Sequence, residues 1–188
     1  MPYFDSLGDE ATVPDILAMD PVAGIALTEL TQQVMRGPSP LSEGERELIA
    51  AYVSGMNHCA YCYGVHKACA IAYGYDAALM ETWLDDLQGC GLEARVIALL
   101  RVACVLTLAP SGMNAGLAKE MHDEGWNEKA LHDVIAVTGL FNLYNRFLEG
   151  HGVHGDEAMY AARGPMLKEH GYAPLIRMLE RQRKSAPE

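Results

Sequence analysis

At 188 residues, half of them apolar and 21% charged, the chain is long enough for one well-buried core and short for two, and its composition excludes extensive disorder. A net charge of -11 argues against nucleic acid and anionic lipid as partners, because both are held by clustered Lys and Arg that this sequence lacks. The N-terminus carries Asp5, Asp9, Glu10 and Asp15 and has none of the basic, apolar and small-residue regions of a signal peptide. Five cysteines, an odd number at irregular spacings, then point to reduced thiols in a cytoplasmic protein and not to a disulfide framework.

The first predicted helix opens at Asp20, an N-cap followed by Pro21, and carries Val22, Ile25, Ala26, Leu30 and Val34 as its apolar stripe until Gly37. Ser42 and Glu45 form a capping box for a second helix, with Leu48, Ile49, Tyr52, Val53 and Met56 on one stripe. Asn57 is the expected cap of a third helix, which ends at the C′ glycine Gly74. An uncapped apolar segment follows at 93–108. It is interrupted by Arg101 and falls short of the roughly 20 apolar residues of a membrane span. A short segment at 114–125, a long one at 127–149 before Gly150 and a basic last helix at 166–184 after Pro165 complete the chain. No stretch alternates with period two, so the expected fold is all-α, an irregular helical bundle.

An internal echo runs through this bundle. "ERELIAAYV" from Glu45 is similar to "EARVIALLRV" from Glu93, and a Gly-aromatic break follows each, at Gly74-Tyr75 and Gly125-Trp126. A duplicated helical unit accounts for both. The expected single domain, 1–188, then divides into an N-terminal helical extension at about 1–40, a cysteine-bearing unit at 41–91, a degenerate second unit at 92–150 and C-terminal helices at 151–188. The second unit has Pro110 and Met113 near where the first has its cysteines, which assigns any cysteine chemistry to the first.

The chemistry concentrates in "NHCAYCYGVH", where Cys59 and Cys62 are three apart and His66 lies four beyond Cys62, on the same helical face. Lowering a cysteine pKa from about 8.5 to about 6 takes roughly 3.4 kcal/mol of thiolate stabilisation. A helix N-terminus supplies about 0.3–1 kcal/mol, up to ~2 when partly buried, so a neighbouring histidine has to supply the rest. Glu47 stands at the rim of a run, 48–66, that contains no Asp, Glu, Lys or Arg. A carboxylate there can orient and charge an imidazole, giving a carboxylate–histidine–thiol relay if the second and third helices pack antiparallel. Taken singly, each residue has a plainer reading: small core thiols, a hydrogen-bonded core histidine, a solvated acid. Cys59, Cys62 and His66 with His58 also make a zinc-like set, but Cys69, Cys90 and Cys104 offer no second C-x-x-C and are read as inert core thiols. Covalent haem is excluded on pattern, since Cys62 is followed by Tyr63 and not by His.

Glu47, then Cys59-x-x-Cys62-x-x-x-His66, resembles the core of the alkylhydroperoxidase AhpD-like family, within the carboxymuconolactone decarboxylase superfamily. "NHCAYCYGVH" together with "GLFNLYNRF" at 139–147 is similar to its branch of uncharacterised peroxidase-related enzymes, and the resemblance covers roughly residues 15 to 160. The resemblance implies a homo-oligomer of duplicated helical units and a thiol peroxidase without metal or organic cofactor. In it Cys62 is the peroxidatic cysteine, Cys59 resolves, Glu47 and His66 relay the proton, and a dithiol or reductase partner restores the pair. Many members carry a histidine between the cysteines, where this chain has Tyr61. Two other classes compete: a lyase or isomerase of the decarboxylase type that uses Glu47 and His66 as acid and base, and a non-catalytic oligomeric or zinc-stabilised binding protein.

Overall fold

The computed structural model describes residues 2–185, so Met1 and residues 186–188 of the expected domain lie outside it. Ten α-helices and one 3-10 turn form the described chain, with no strand among the described residues. The helices are α1 (Val13–Ala18), α2 (Pro21–Arg36), α3 (Glu43–Met56), α4 (Ala60–Ala72), α5 (Leu79–Thr82), α6 (Ala94–Leu108), α7 (Ala115–Asp123), α8 (Glu128–His151), α9 (Glu157–His170) and α10 (Ala173–Ser185). No helix is long and apolar enough to cross a membrane among the described residues.

α3 is the axis of the core. Every residue from Gly44 to Ser54 is buried, and α4, α6 and α8 pack around it. Its start is fixed by the Ser42 and Glu45 capping box, in which the Glu45 backbone N–H donates to Ser42 Oγ at 3.1 Å and the Ser42 N–H donates to Glu45 Oε2 at 2.7 Å. α3 and α4 form an antiparallel hairpin, since the Tyr73 hydroxyl just past α4 bonds Glu43 at the start of α3. The turn between them needs His58 in the left-handed region, at φ 55°. α6 and α7 follow in similar style. Gly74 and Gly125 both have positive φ, and the aromatic after each lies on the first turn of its own first helix, Tyr75 beside Gly44 and Trp126 donating to the Arg95 carbonyl at 2.8 Å.

Four sequence expectations shift. α2 begins and ends where expected, but Val22 and Leu30 are 65% and 53% exposed, and the buried face is Gly24, Ile25, Thr28, Thr31 and Met35. Thr28 and Thr31 can be buried because each donates its hydroxyl to the carbonyl four residues back, at 2.7 Å, and Gly24 lets α1 approach at Leu17. Asn57 ends α3, and Cys59 is the N-cap of α4. α8 runs through Gly150 to a left-handed cap at Gly152, which a Cβ would strain. Pro165 lies inside α9, and the expected last helix is two helices parted at Gly171, with φ 58°. α9 tolerates its proline because it is held by packing: at Gly164 its backbone comes so close to Ala68 and Cys69 of α4 that an added Cβ would lie 2.5 Å from the Ala68 carbonyl carbon. α1 and α5 are too short to show a period in sequence.

Candidate active site

Glu47 lies on the buried first half of α3, with no exposed surface, and its two oxygens are divided between an imidazole and a guanidinium. Oε2 is 2.5 Å from Nδ1 of His66 on α4, and Oε1 accepts from Nη2 of Arg36, the last residue of α2, at 2.6 Å. Burial pushes the Glu47 carboxyl up, but the charge and hydrogen bond of His66, then those of Arg36, outweigh it and hold the group below the ordinary carboxylate range. An ionised carboxylate only accepts, so Nδ1 of His66 must be the donor, which leaves Nε2 as the nitrogen free to exchange a proton. Phe141 packs edge-on against the imidazole at 4.4 Å between centroids and fixes its plane. Arg36 is locked in turn. It donates to the carbonyls of Met35 and Leu167, at 2.9 and 3.2 Å, and its guanidinium lies between the rings of Tyr73 and Tyr172.

Cys59 and Cys62 occupy the N-cap and third positions of α4, so both lie within its first turn. Cys59 is completely buried and Cys62 is 4% exposed; neither is in a disulfide. Donation of the Cys62 thiol proton to Cys59, with burial and the Cys59 charge, pushes the Cys62 thiol well up, and the amide of Asn145 on α8 opposes the shift. The expected direct pairing of Cys62 with His66 is not made: no hydrogen bond joins them among the described residues. Glu47 holds the imidazole through its Nδ1 atom, while Cys59 and Asn145 are the groups that shift the Cys62 thiol.

What the two residues share is a cavity. About 450 Å³ in volume, it is lined by Cys62 and His66, with Tyr61 and Phe141, and by Leu167 of α9 and Met178 of α10. The walls are overwhelmingly apolar side chains, as in small-molecule sites generally. Cys59 does not reach the cavity and stands behind Cys62. A molecule in this space can therefore meet a thiol and an imidazole at once, with a second thiol in reserve. His58 is exposed, and no group of three His, Cys, Asp or Glu among the described residues is placed to hold a metal ion. Cys69 lies beside Glu47 and Arg36, where burial pushes its thiol up; Cys90 is buried and Cys104 half-buried.

Sequence reasoning missed Arg36, Asn145 and the C-terminal wall of the cavity. Arg36 had a readable sign as a lone cation in the last turn of α2, and Asn145 as an amide inside the apolar pattern of α8. Nothing in α9 or α10 signals a cavity wall, because that role depends on where the pair folds back.

The model of the carboxymuconolactone decarboxylase family matches residues 21–103. Among solved structures, the chain is similar to an uncharacterized peroxidase-related protein from Silicibacter sp. TM1040, at 29% identity and TM-score 0.74, over 81% of this chain and 79% of that one. It also shares the fold of an uncharacterized peroxidase-related protein with an alkylhydroperoxidase AhpD core from Ralstonia eutropha JMP134, at 23% identity and TM-score 0.73, over 79% of this chain and 78% of that one. No curated protein matches the sequence.

Proposed function

We propose that the protein is a thiol peroxidase of the AhpD-like, carboxymuconolactone decarboxylase superfamily, acting through Cys62 and Cys59 with a Glu47–His66 proton relay. The observation that carries this reading is that Cys62 and His66 line one cavity while Cys59 touches Cys62 from outside it. In the proposed cycle the Cys62 thiol gives its proton to Nε2 of His66, and the thiolate attacks the terminal oxygen of a hydroperoxide. The O–O bond breaks, Cys62 becomes a sulfenic acid, and the leaving alkoxide takes the proton back and departs as an alcohol. Cys59 then attacks the sulfenic sulfur, its own proton leaves with the hydroxyl group as water, and a disulfide forms. An external dithiol or reductase returns the pair to thiols, in the reducing cytoplasm that five free cysteines suit.

The cavity favours an organic hydroperoxide over hydrogen peroxide. Burying an alkyl or aryl group there contributes about 1.5–3 kcal/mol, roughly 10- to 100-fold in kcat/KM. A panel of hydrogen peroxide, tert-butyl hydroperoxide and cumene hydroperoxide, run with several dithiol reductants, should rank cumene hydroperoxide first. Equal or faster turnover of hydrogen peroxide removes the cavity from the reading. A lyase that uses Glu47 and His66 alone, in keeping with the family match, predicts instead that no hydroperoxide consumes the thiols.

We also infer a homo-oligomer. Val22, Ala26 and Leu30 form an exposed stripe along α2 at helical spacing, the kind of surface a second copy covers. Light scattering that gives a monomer at micromolar concentration counts against it.

A further inference from the structure

The cavity that holds Cys62 and His66 has a charge pattern opposite to that of the chain. The sequence carries 25 Asp and Glu against 14 Lys and Arg, yet no carboxylate lines this cavity, while Arg163, His66 and His170 do. Two of these three are engaged. His66 gives its Nδ1 hydrogen to Glu47, and His170 is exposed, 3.8 Å from the carboxylate of Glu169. Arg163 differs from both: it is half-buried on α9, and its side chain makes no ion pair and no hydrogen bond among the described residues. Its neighbours one turn away on either side are Met159, Tyr160, Met166 and Leu167, so its own helix supplies no counter-ion. A guanidinium keeps its charge, and one held partly out of water without a partner recovers the lost hydration from an anion. Its planar fork of N–H donors matches the two oxygens of a carboxylate.

The rest of the wall narrows the choice of anion. The hydroxyls of Tyr61 and Tyr172 are buried, line the cavity and make no hydrogen bond, which leaves two more polar groups for an occupant. Burial pushes the Tyr61 hydroxyl up, and the charge of Arg163 is the strongest influence against it. Beyond these groups the lining is apolar, from Val13 and Pro14 to Phe141, Leu175 and Met178. A small di- or tricarboxylate does not suit it, because the wall offers no second unpaired cation. A neutral hydroperoxide leaves Arg163 unsatisfied. An occupant that fits both parts carries one negative group on an apolar body.

We propose that Arg163 is a specificity-determining residue that anchors the carboxylate of an amphiphile whose chain lies along the apolar wall, so that the substrate presented to Cys62 is a hydroperoxy fatty acid. The hydroperoxide part of this assignment rests on the peroxidase reading; the anchoring of a carboxylate does not.

The test of the anchor uses octanoate and octanamide, the same chain with and without the charge. It reads the protection that each gives Cys62 from iodoacetamide, by peptide mass spectrometry of the full-length reduced protein at neutral pH. Octanoate should protect at a concentration about 10-fold lower than octanamide, near the lower end of the range for a hydrogen bond to a charged group. Arg163→Met should bring the two together, and Arg163→Lys, which keeps the charge but not the fork, should retain part of the difference. Equal protection by both compounds in the wild type overturns the proposal, and so does an octanoate preference that survives in Arg163→Met. Turnover is read separately, with linoleic acid hydroperoxide and its methyl ester below micellar concentrations. The acid should be favoured about 10-fold in kcat/KM by the wild type, and that ratio should approach one in Arg163→Met. Equal turnover of acid and ester by the wild type overturns the assigned substrate. No turnover of either, with an octanoate preference that depends on Arg163, keeps the carboxylate anchor and discards the peroxidase reading.

Discussion

Reduced Cys59→Ser protein given one equivalent of an organic hydroperoxide should hold a sulfenic acid on Cys62, whereas Cys62→Ser should lose the fast reaction altogether. Read from sequence with Asn57 as the cap, Cys59 would sit in the first turn of its helix and Cys62 in the second, so that the helix dipole would favour Cys59 as nucleophile. The helix in fact starts two residues later, with Cys59 at the N-cap and Cys62 three positions on. Both sulfurs then lie in the first turn, where the dipole contributes to each about 0.3–1 kcal/mol, up to ~2 when partly buried, and no longer separates them. Access does. Cys62 lines the cavity with His66, and Cys59 is shut behind it. The upward push on the resting Cys62 thiol, from Cys59 and from burial, fits a nucleophile that is deprotonated only when a base takes its proton. In the proposed cycle His66, freed at Nε2 by its bond to Glu47, is that base, and such assistance is worth about 10²–10⁴-fold. Peptide mass spectrometry of the two variants decides the roles: sulfenic acid on Cys59 in Cys62→Ser, formed at the wild-type rate, reverses them.

The parts of this protein that were legible in sequence are those governed by local chemistry. Ser42 with Glu45, Asn114 and Asn127 each announce a helix start, because capping is settled within a few residues of chain. Glu47 and His66 could be paired because one short turn joins their helices and the run between them is free of charge. Misreadings arose where a distant segment decides. Val22 and Leu30 read as part of the buried stripe of α2, but the hydroxyls of Thr28 and Thr31 are bonded along the helix, which frees their face to be buried instead. Pro165 read as a helix start because its cost is local, while the packing of Gly164 on α4 that overrides it is not. Asn57 is a plausible cap by residue type, yet its amide is engaged by α8, eighty-five residues on. Arg36 showed in sequence only as the lone cation of α2, for the same reason: its partner Glu47 is fixed only when α2 docks on α3.

Arg36 changes what Glu47→Gln should do. As one end of a two-residue relay, Glu47 could lose its charge with little effect on folding. As the shared partner of His66 and a buried guanidinium, it cannot. Glu47→Gln leaves Arg36 with only the longer, partly exposed contact to Glu43 at 3.8 Å, and breaking a buried pair from one side costs up to about 3–5 kcal/mol. Reactivity with hydroperoxide should fall about 10- to 1000-fold besides, because the imidazolium formed when His66 takes the Cys62 proton loses its carboxylate. The double variant Arg36→Met, Glu47→Gln separates the effects. With no orphaned cation it should regain most of the stability, as buried pairs replaced on both sides generally do, and none of the activity. The pH dependence follows from the depressed carboxyl. Its stabilisation is fully present above the ordinary carboxylate value of 4.5 and is lost as pH falls toward the lower folded value, so the wild type should weaken below about pH 4.5. Both Glu47 variants should lack that component of acid sensitivity. Chemical denaturation across pH 3–7, paired with stopped-flow peroxide kinetics, reads both effects. A double variant that recovers activity along with stability would make Glu47 a structural partner of Arg36 and leave His66 to act without it.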